Sequence, residues 1–292
     1  MSSVMPAASA SKLVRFTGLQ WLPVGAGLLA LYAPTTVSLA RGLWTRDEFM
    51  HGPIVAAVIL WLIWQKRALL SGESDRARPL AGGATLVFGL LLYVLGRSQD
   101  IIMFEVGSLI PVLAGTLLAM CGPRTLRGMA FPVGFVLFML PLPGFVVDAL
   151  TGPLKHYVSA IAEDILYAAG YPIARTGVVL SVGPYQLLVA DACSGLHSLI
   201  SMSAMGLLYV YLTAHRNPWR NAILVGCLLP IAFAANVVRV IVLVLVTYHF
   251  GDEAGQGFIH DFSGIFLFIV GLLLLFAIDA ALGQVRSYAR SR

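Results

Sequence analysis

Apolar residues in this chain gather into long runs instead of alternating with polar ones. Eight runs, at about 18–40, 49–65, 80–96, 102–121, 129–147, 194–213, 221–248 and 262–282, approach the roughly 20 apolar residues that cross a bilayer core. They predict an all-α polytopic membrane protein of about eight transmembrane helices. The second run is the shortest, because Pro53 to Trp64 needs Phe49 and Met50 to reach across, and a re-entrant segment is its alternative reading. Between the fifth and sixth runs lies a stretch of different character. Leu154, Val158, Ile161, Ile165 and Leu166 recur at helical spacing, interrupted by Lys155, His156, Glu163 and Asp164, which predicts a helix lying in the membrane interface. From Gly177 to Ala190, β-favouring residues flank Gly183-Pro184, which predicts a short hairpin just before the sixth run.

Composition agrees with this reading, since 59% of the 292 residues are hydrophobic and only 11% are charged. A net charge of +5 does not indicate nucleic acid, because the 19 Lys and Arg are dispersed through short loops and form no basic face. Their distribution instead predicts topology. With both termini in the cytoplasm, thirteen fall in inner segments and five in outer ones, and Arg239 completes the set. The expected organisation is a cytoplasmic segment at 1–17, a transmembrane domain at 18–283 and a basic cytoplasmic tail at 284–292. The first run follows Lys12 and Arg15 without a convincing small-residue cleavage site, so a retained span is expected.

This topology puts the candidate chemistry on the outer side. Cys193 stands in Val189-Ala-Asp-Ala-Cys-Ser-Gly-Leu-His-Ser198, at the junction between the hairpin and a long apolar helix. Unpaired N–H groups and the positive end of a helix favour the thiolate, the reactive form. Cys121 and Cys227 lie in apolar runs, where a thiol acts as a small hydrophobe. Arg239 is a lone cation in the seventh run, roughly 14 Å below its outer end, and a charge at such depth is a functional residue by default. Asn236 shares its helix face, and together the two could bind a carbonyl oxygen or a developing oxyanion. His260 opens the last run and suits a general acid and base, with Asp261 beside it as a hydrogen-bond partner. His197, four residues after Cys193, competes for that role, and His51 in His-Gly-Pro53 is a candidate auxiliary residue. His51, His260, Asp191 and Asp261 lack the spacing of known ligand motifs, so neither a metal nor another cofactor is expected.

Three blocks in this order, Asp191-Ala-Cys-Ser-Gly-Leu196, Asn236-Val-Val-Arg239 and His260-Asp-Phe-Ser-Gly264, resemble the signature of the exosortase family, and the resemblance spans nearly the whole chain. It implies a multi-pass protein of the bacterial inner membrane with its active site facing the periplasm. Its activity would be that of a cysteine transpeptidase or protease on exported proteins that carry a C-terminal sorting signal: a Pro-Glu-Pro motif, a transmembrane helix and a basic tail. It also implies an association with exopolysaccharide production. Cys193 would be the nucleophile, His260 the acid and base, and Arg239 the stabiliser of substrate or oxyanion, whereas His197 falls outside the family's motif residues. The rival reading is a transporter or non-enzymatic scaffold of polysaccharide export, with Arg239 as a charge on a substrate pathway.

Overall fold

The computed structural model describes residues 21–46, 49–70, 77–188, 195–214, 217–257 and 263–290. Among them twelve α-helices, three 3-10 helices and three short strands form two compact units, Met1–Pro141 and Leu142–Arg292.

The first unit contains α1 (Trp21–Arg41), α2 (Gly52–Gln65), α3 (Pro79–Ser98), α4 (Ile102–Gly107), α5 (Leu109–Met120), α6 (Pro123–Gly128) and α7 (Ala130–Phe135), with 3-10 turns at Leu43–Thr45, Arg67–Leu69 and Val136–Met139. Its tightest packing is between α3 and the α4–α5 pair. Gly82, Gly89 and Gly96 recur every seven residues and so line one face of α3. A Cβ at Gly82 would meet the Ala119 backbone, one at Gly89 would lie 2.8 Å from Val112 N, and one at Gly96 would meet the Glu105 backbone. Gly115 answers from α5, where a Cβ would lie 2.5 Å from Leu86 N. Close backbone approach along a small-residue seam is how helices associate in lipid, where the tails are as apolar as leucine and provide no hydrophobic drive.

One end of this seam carries a buried polar network. Glu105 is only 4% exposed and accepts from Thr35 Oγ1 at 2.5 Å and from Arg97 Nη1 at 3.1 Å. Ser108 Oγ donates to the Glu105 carbonyl at 2.6 Å and shares a 2.8 Å hydrogen bond with the Tyr32 hydroxyl. The Tyr93 hydroxyl donates to the Leu31 carbonyl at 2.7 Å. These bonds join α1 to α3 and α4 and supply the partners that a carboxylate out of water requires.

The second unit contains α8 (Gly144–Ala168), β1 (Ile173–Thr176), β2 (Val179–Val182), β3 (Tyr185–Leu188), α9 (Gly195–Thr213), α10 (Pro218–Phe250), α11 (Asp252–Gly257) and α12 (Ser263–Arg290). The strands form an antiparallel meander in which Ile173 faces Val182 and Leu180 faces Leu187. Those four side chains are buried against Val158, Ala162 and Leu166 of α8 and Val237, Val240 and Val244 of α10, so the period-2 alternation supplies one inner face. Both connections are two-residue turns that begin with a glycine at positive φ, Gly177 at 64° and Gly183 at 54°, as hairpin turns of this kind require. The expected hairpin around Gly183-Pro184 is therefore present, and β1 extends it to three strands.

Among the described residues, five helices are long and apolar enough to cross a membrane: Trp21–Thr45, Pro79–Ser98, Ile102–Met120, Pro218–Phe250 and Gly264–Gln284. The second expected span forms a shorter apolar helix, Gly52–Gln65, and the sixth lies in α9, whose apolar stretch with described side chains is Leu199–Thr213. The fifth differs from expectation in its course. Helical structure stops at Met139 and resumes at Gly144, because Pro141 and Pro143 lack the N–H that a continuous helix needs. If the helices on either side of this break count as one span, the total is six. The amphipathic stretch at 154–169 accordingly belongs to a longer helix, α8, that begins ten residues earlier.

The glycine seam yields a test. Replacing Gly89 with valine should lower stability by about 1–3 kcal/mol through overpacking against the α5 backbone, read as thermal unfolding in detergent. Gly83→Ala, where a Cβ meets nothing within 4 Å, should leave the transition unchanged or raise it slightly.

Candidate functional site

Helix α10 is the element that the rest of the second unit packs around. It starts cleanly because Asn217 Oδ1 accepts from the Trp219 N–H at 3.2 Å and Pro218 occupies the first turn, where a missing N–H costs nothing. Its 33 residues span roughly 50 Å, more than a bilayer core, and two buried faces run along it. Val237, Val240 and Val244 pack on the sheet and α8. Leu224, Leu228, Ile231, Ala232 and Ala235 pack on α9 and α12. At 100° per residue Asn236, Leu243 and Thr247 fall between these faces and Arg239 falls beside Ala232 at the edge of the second, and all four are buried.

Arg239 is 5% exposed and Asn236 2%. Both are engaged in interactions within the protein. A guanidinium in such surroundings is a fixed positive charge at low dielectric, where its effect on a nearby developing anion is far larger than in water. Thr247, two turns further on, is fully buried, and its hydroxyl has no hydrogen-bond partner among the described residues. Gly255 of α11 lies directly over it, and a Cβ there would collide with the Thr247 side chain.

The contacts of α9, α10 and α12 define how the three helices align. At the end where α10 begins, Asp279 of α12 accepts from Arg220 Nε at 2.7 Å and from the Tyr209 hydroxyl at 2.8 Å, while its carbonyl accepts from Arg220 Nη2 at 2.7 Å. Further along, Gly206 lies against Leu228, and Gly271 against Met202. These pairs set α9 antiparallel to α10 and parallel to α12. Continued at the common rise of an α-helix, the same alignment brings the first turn of α9 opposite Ala234–Arg239 of α10, and the first turn of α12 opposite Asn236–Val240. Two helix N-termini, each with unpaired N–H groups and a positive dipole end, therefore come level with the buried Arg239.

In sequence, the expected nucleophile and base stand just before these two helix starts. Cys193 falls two residues before the first residue of α9, and His260 three before that of α12; both, with Asp261, lie outside the described residues. His197 is in the first turn of α9, and its side chain is also outside the described set. His51 is half-buried at the N-cap of α2, where Gly52 packs against the Trp44 indole and Pro53 takes the first turn, so His-Gly-Pro does open the second helix. Cys121 is buried at the end of α5 and Cys227 half-buried within α10. No group of three or more His, Cys, Asp or Glu suited to a metal ion occurs among the described residues. Sequence reasoning missed Glu105, Asp279 and Thr247. The first two were visible as single acids inside apolar runs, whereas nothing in the sequence distinguishes Thr247 from other helix threonines.

Helices of spanning length, a buried cation and two helix starts level with it define a multi-pass membrane protein with a polar centre inside its helical bundle. Residues 44–277 match the family model of the transmembrane exosortases, about four-fifths of the chain, and the chain belongs to that family. No curated protein and no solved structure matches it.

The clamp that sets the alignment can be tested apart from any activity. Asp279→Leu should cost about 1.5–3 kcal/mol by leaving Arg220 and the Tyr209 hydroxyl without their acceptor, and Asp279→Asn should cost less because the amide oxygen still accepts. Thermal unfolding of the purified variants in detergent measures both.

Proposed function

We propose that the chain is a membrane-embedded cysteine transpeptidase or protease that removes the C-terminal sorting signals of exported proteins, with Cys193 as nucleophile, His260 as acid and base, and Arg239 as oxyanion stabiliser. The observation that carries this reading is the alignment of the α9 and α12 N-termini with Arg239, because Cys193 and His260 immediately precede those two helices in sequence. Membership of the transmembrane exosortases supports it independently.

In this mechanism the Cys193 thiolate, favoured by the N-terminus of α9, attacks a carbonyl carbon just outside the substrate's own transmembrane helix. Arg239, with Asn236 on the same helix face, balances the charge that develops on the carbonyl oxygen. His260 donates its proton to the leaving amine, and the substrate's helix and basic tail depart. The thioester left on Cys193 is then attacked by an amine or by water, from which His260 takes a proton, and the thiol is regenerated. A periplasmic active site in the bacterial inner membrane suits this course. The sorting motif would emerge there while the basic tail stays in the cytoplasm and holds the substrate in register.

Co-expression with an exported protein bearing such a signal tests the proposal. Wild-type enzyme should generate a new C-terminus, identified by mass spectrometry, and Cys193→Ala should leave the signal intact. Arg239→Leu should lower the rate by roughly 10²–10³, the scale of losing one oxyanion donor. Cleavage by Cys193→Ala at the wild-type rate would overturn the assignment, and an intact signal with folded wild-type enzyme would favour the scaffold reading.

A further inference from the structure

Helix α11 is too small to place itself. Its six residues, Asp-Glu-Ala-Gly-Gln-Gly, include two glycines and bury only Gly255, and an isolated helix this short is not stable in water. What holds it is the helix before it. The Gly255 N–H donates to the Gly251 carbonyl at 3.2 Å, and the Gly251 N–H to the Thr247 carbonyl at 2.9 Å, so α11 folds back from the end of α10. Gly251 makes the bend, with a φ of 90° that a side chain would strain. The bend brings Gly255 onto the Thr247 side chain: a Cβ at 255 would collide with Thr247 Oγ1 and stand 3.2 Å from Thr247 Cβ.

That seat is rigid. Thr247 is fully buried and β-branched, so its Oγ1 cannot swing aside. The residues that follow it fasten the end of α10 to the sheet. The Tyr248 ring lies over the Gly183 turn, where a Cβ would stand 3.4 Å from it, and meets the Tyr171 ring edge-on at 5.5 Å. The Tyr171 hydroxyl shares a 3.3 Å hydrogen bond with His249 Nε2.

The seat also stands on the path to the proposed acid and base. Residues 258–262 join α11 to α12, and His260 is the middle one. It is three residues from Gly257 and three from Ser263, so at 3.8 Å per Cα step covalent geometry keeps it within about 11 Å of each. The α12 side of this link is fixed by the Asp279 clamp and by Gly271 against Met202. The α11 side is fixed by Gly255 on Thr247, two turns beyond Arg239 on the same helix. One helix thus sets both the buried cation and the point from which the chain leaves for His260.

We propose that Thr247 and Gly255 are positioning residues for His260: the missing Cβ at 255 lets α11 close on Thr247, and that closure sets where His260 stands relative to Arg239 and Cys193. This role rests on the reading of His260 as acid and base. Gly255→Ala adds one methyl group, which helix propensity alone would make neutral or stabilising. By lifting α11 roughly 1 Å to regain ordinary contact, it should instead lower kcat for signal removal by roughly ten- to a hundredfold. KM and thermal unfolding should change little, both measured with purified enzyme in detergent. Adding Thr247→Ala to the same chain removes Oγ1 and should restore most of the rate. Gly257→Ala, nearer to His260 in sequence but with nothing within 4 Å of its Cβ, should keep the wild-type rate.

A second readout needs no catalysis. In a chain carrying Cys121→Ser, Cys227→Ala and His260→Cys, bridging of positions 193 and 260 should slow with Gly255→Ala and recover with Thr247→Ala. A wild-type rate in Gly255→Ala, or a loss that Thr247→Ala does not reverse, overturns the positioning role and leaves the proposed chemistry standing. An uncut signal together with bridging that depends on Gly255 in this way supports the positioning role and overturns the chemistry alone. Wild-type enzyme that leaves the signal uncut, in a chain whose 193–260 pair never bridges, overturns both.

Discussion

A guanidinium buried in the middle of a long apolar helix is the constraint from which the second unit is best understood. Placing a charge at that depth in a membrane helix costs about 2.5–3.5 kcal/mol even on the most lenient scale. The cost is sustained by a helix that is almost entirely buried around Arg239: valines against the sheet and α8 on one side, leucines and alanines against α9 and α12 on the other. The strip between them carries Asn236 and Thr247, and Arg239 stands beside it next to Ala232. Arg239 can act as a fixed charge because its helix has little freedom to move.

The two units meet the bilayer's demands by different means. In the first, glycines at seven-residue spacing let α3 and α5 approach through their backbones, and Glu105 ties the adjoining polar groups together. In the second, a carboxylate on α12 receives a guanidinium from α10 and a phenol from α9, and this ion pair fixes which turns of the three helices face one another. Neither device depends on hydrophobic drive between helices, which lipid does not supply. The second has a consequence far from itself, since the alignment it sets carries through to the opposite ends of α9 and α12, next to which Cys193 and His260 stand in sequence.

Much of this was legible in the residues alone. Each of the eight apolar runs is helical over most of its length, Gly183-Pro184 makes its turn, and Gly195 and Ser263 open helices close to where the polar blocks predict them. Periodicity and turn chemistry are local, so they can be read without tertiary information. The strand β1 was missed because Ile173–Thr176 is too short to show alternation by itself and becomes a strand through pairing with Val179–Val182. The break in the fifth run was readable in Pro141 and Pro143 but was masked by their apolar surroundings. The seven-residue repeat of Gly82, Gly89 and Gly96 was equally readable, though which helix it would meet was not. Burial of Arg239 was expected from its surroundings; the level of α9 and α12 that it shares arises from contacts between distant residues, and no local pattern encodes those.

The account rests on Cys193 and His260 coming together beside Arg239, and disulfide trapping measures that most directly. In a chain carrying Cys121→Ser and Cys227→Ala, the substitution His260→Cys pairs the native thiol at 193 with a second one. Bridge formation requires Cα atoms within about 4.4–6.8 Å. Mild oxidation in native membranes followed by peptide mapping should yield the 193–260 bridge, as should a control in which Met202→Cys and Gly271→Cys join α9 to α12 where they touch. A control that bridges while the 193–260 pair stays reduced would contradict the account.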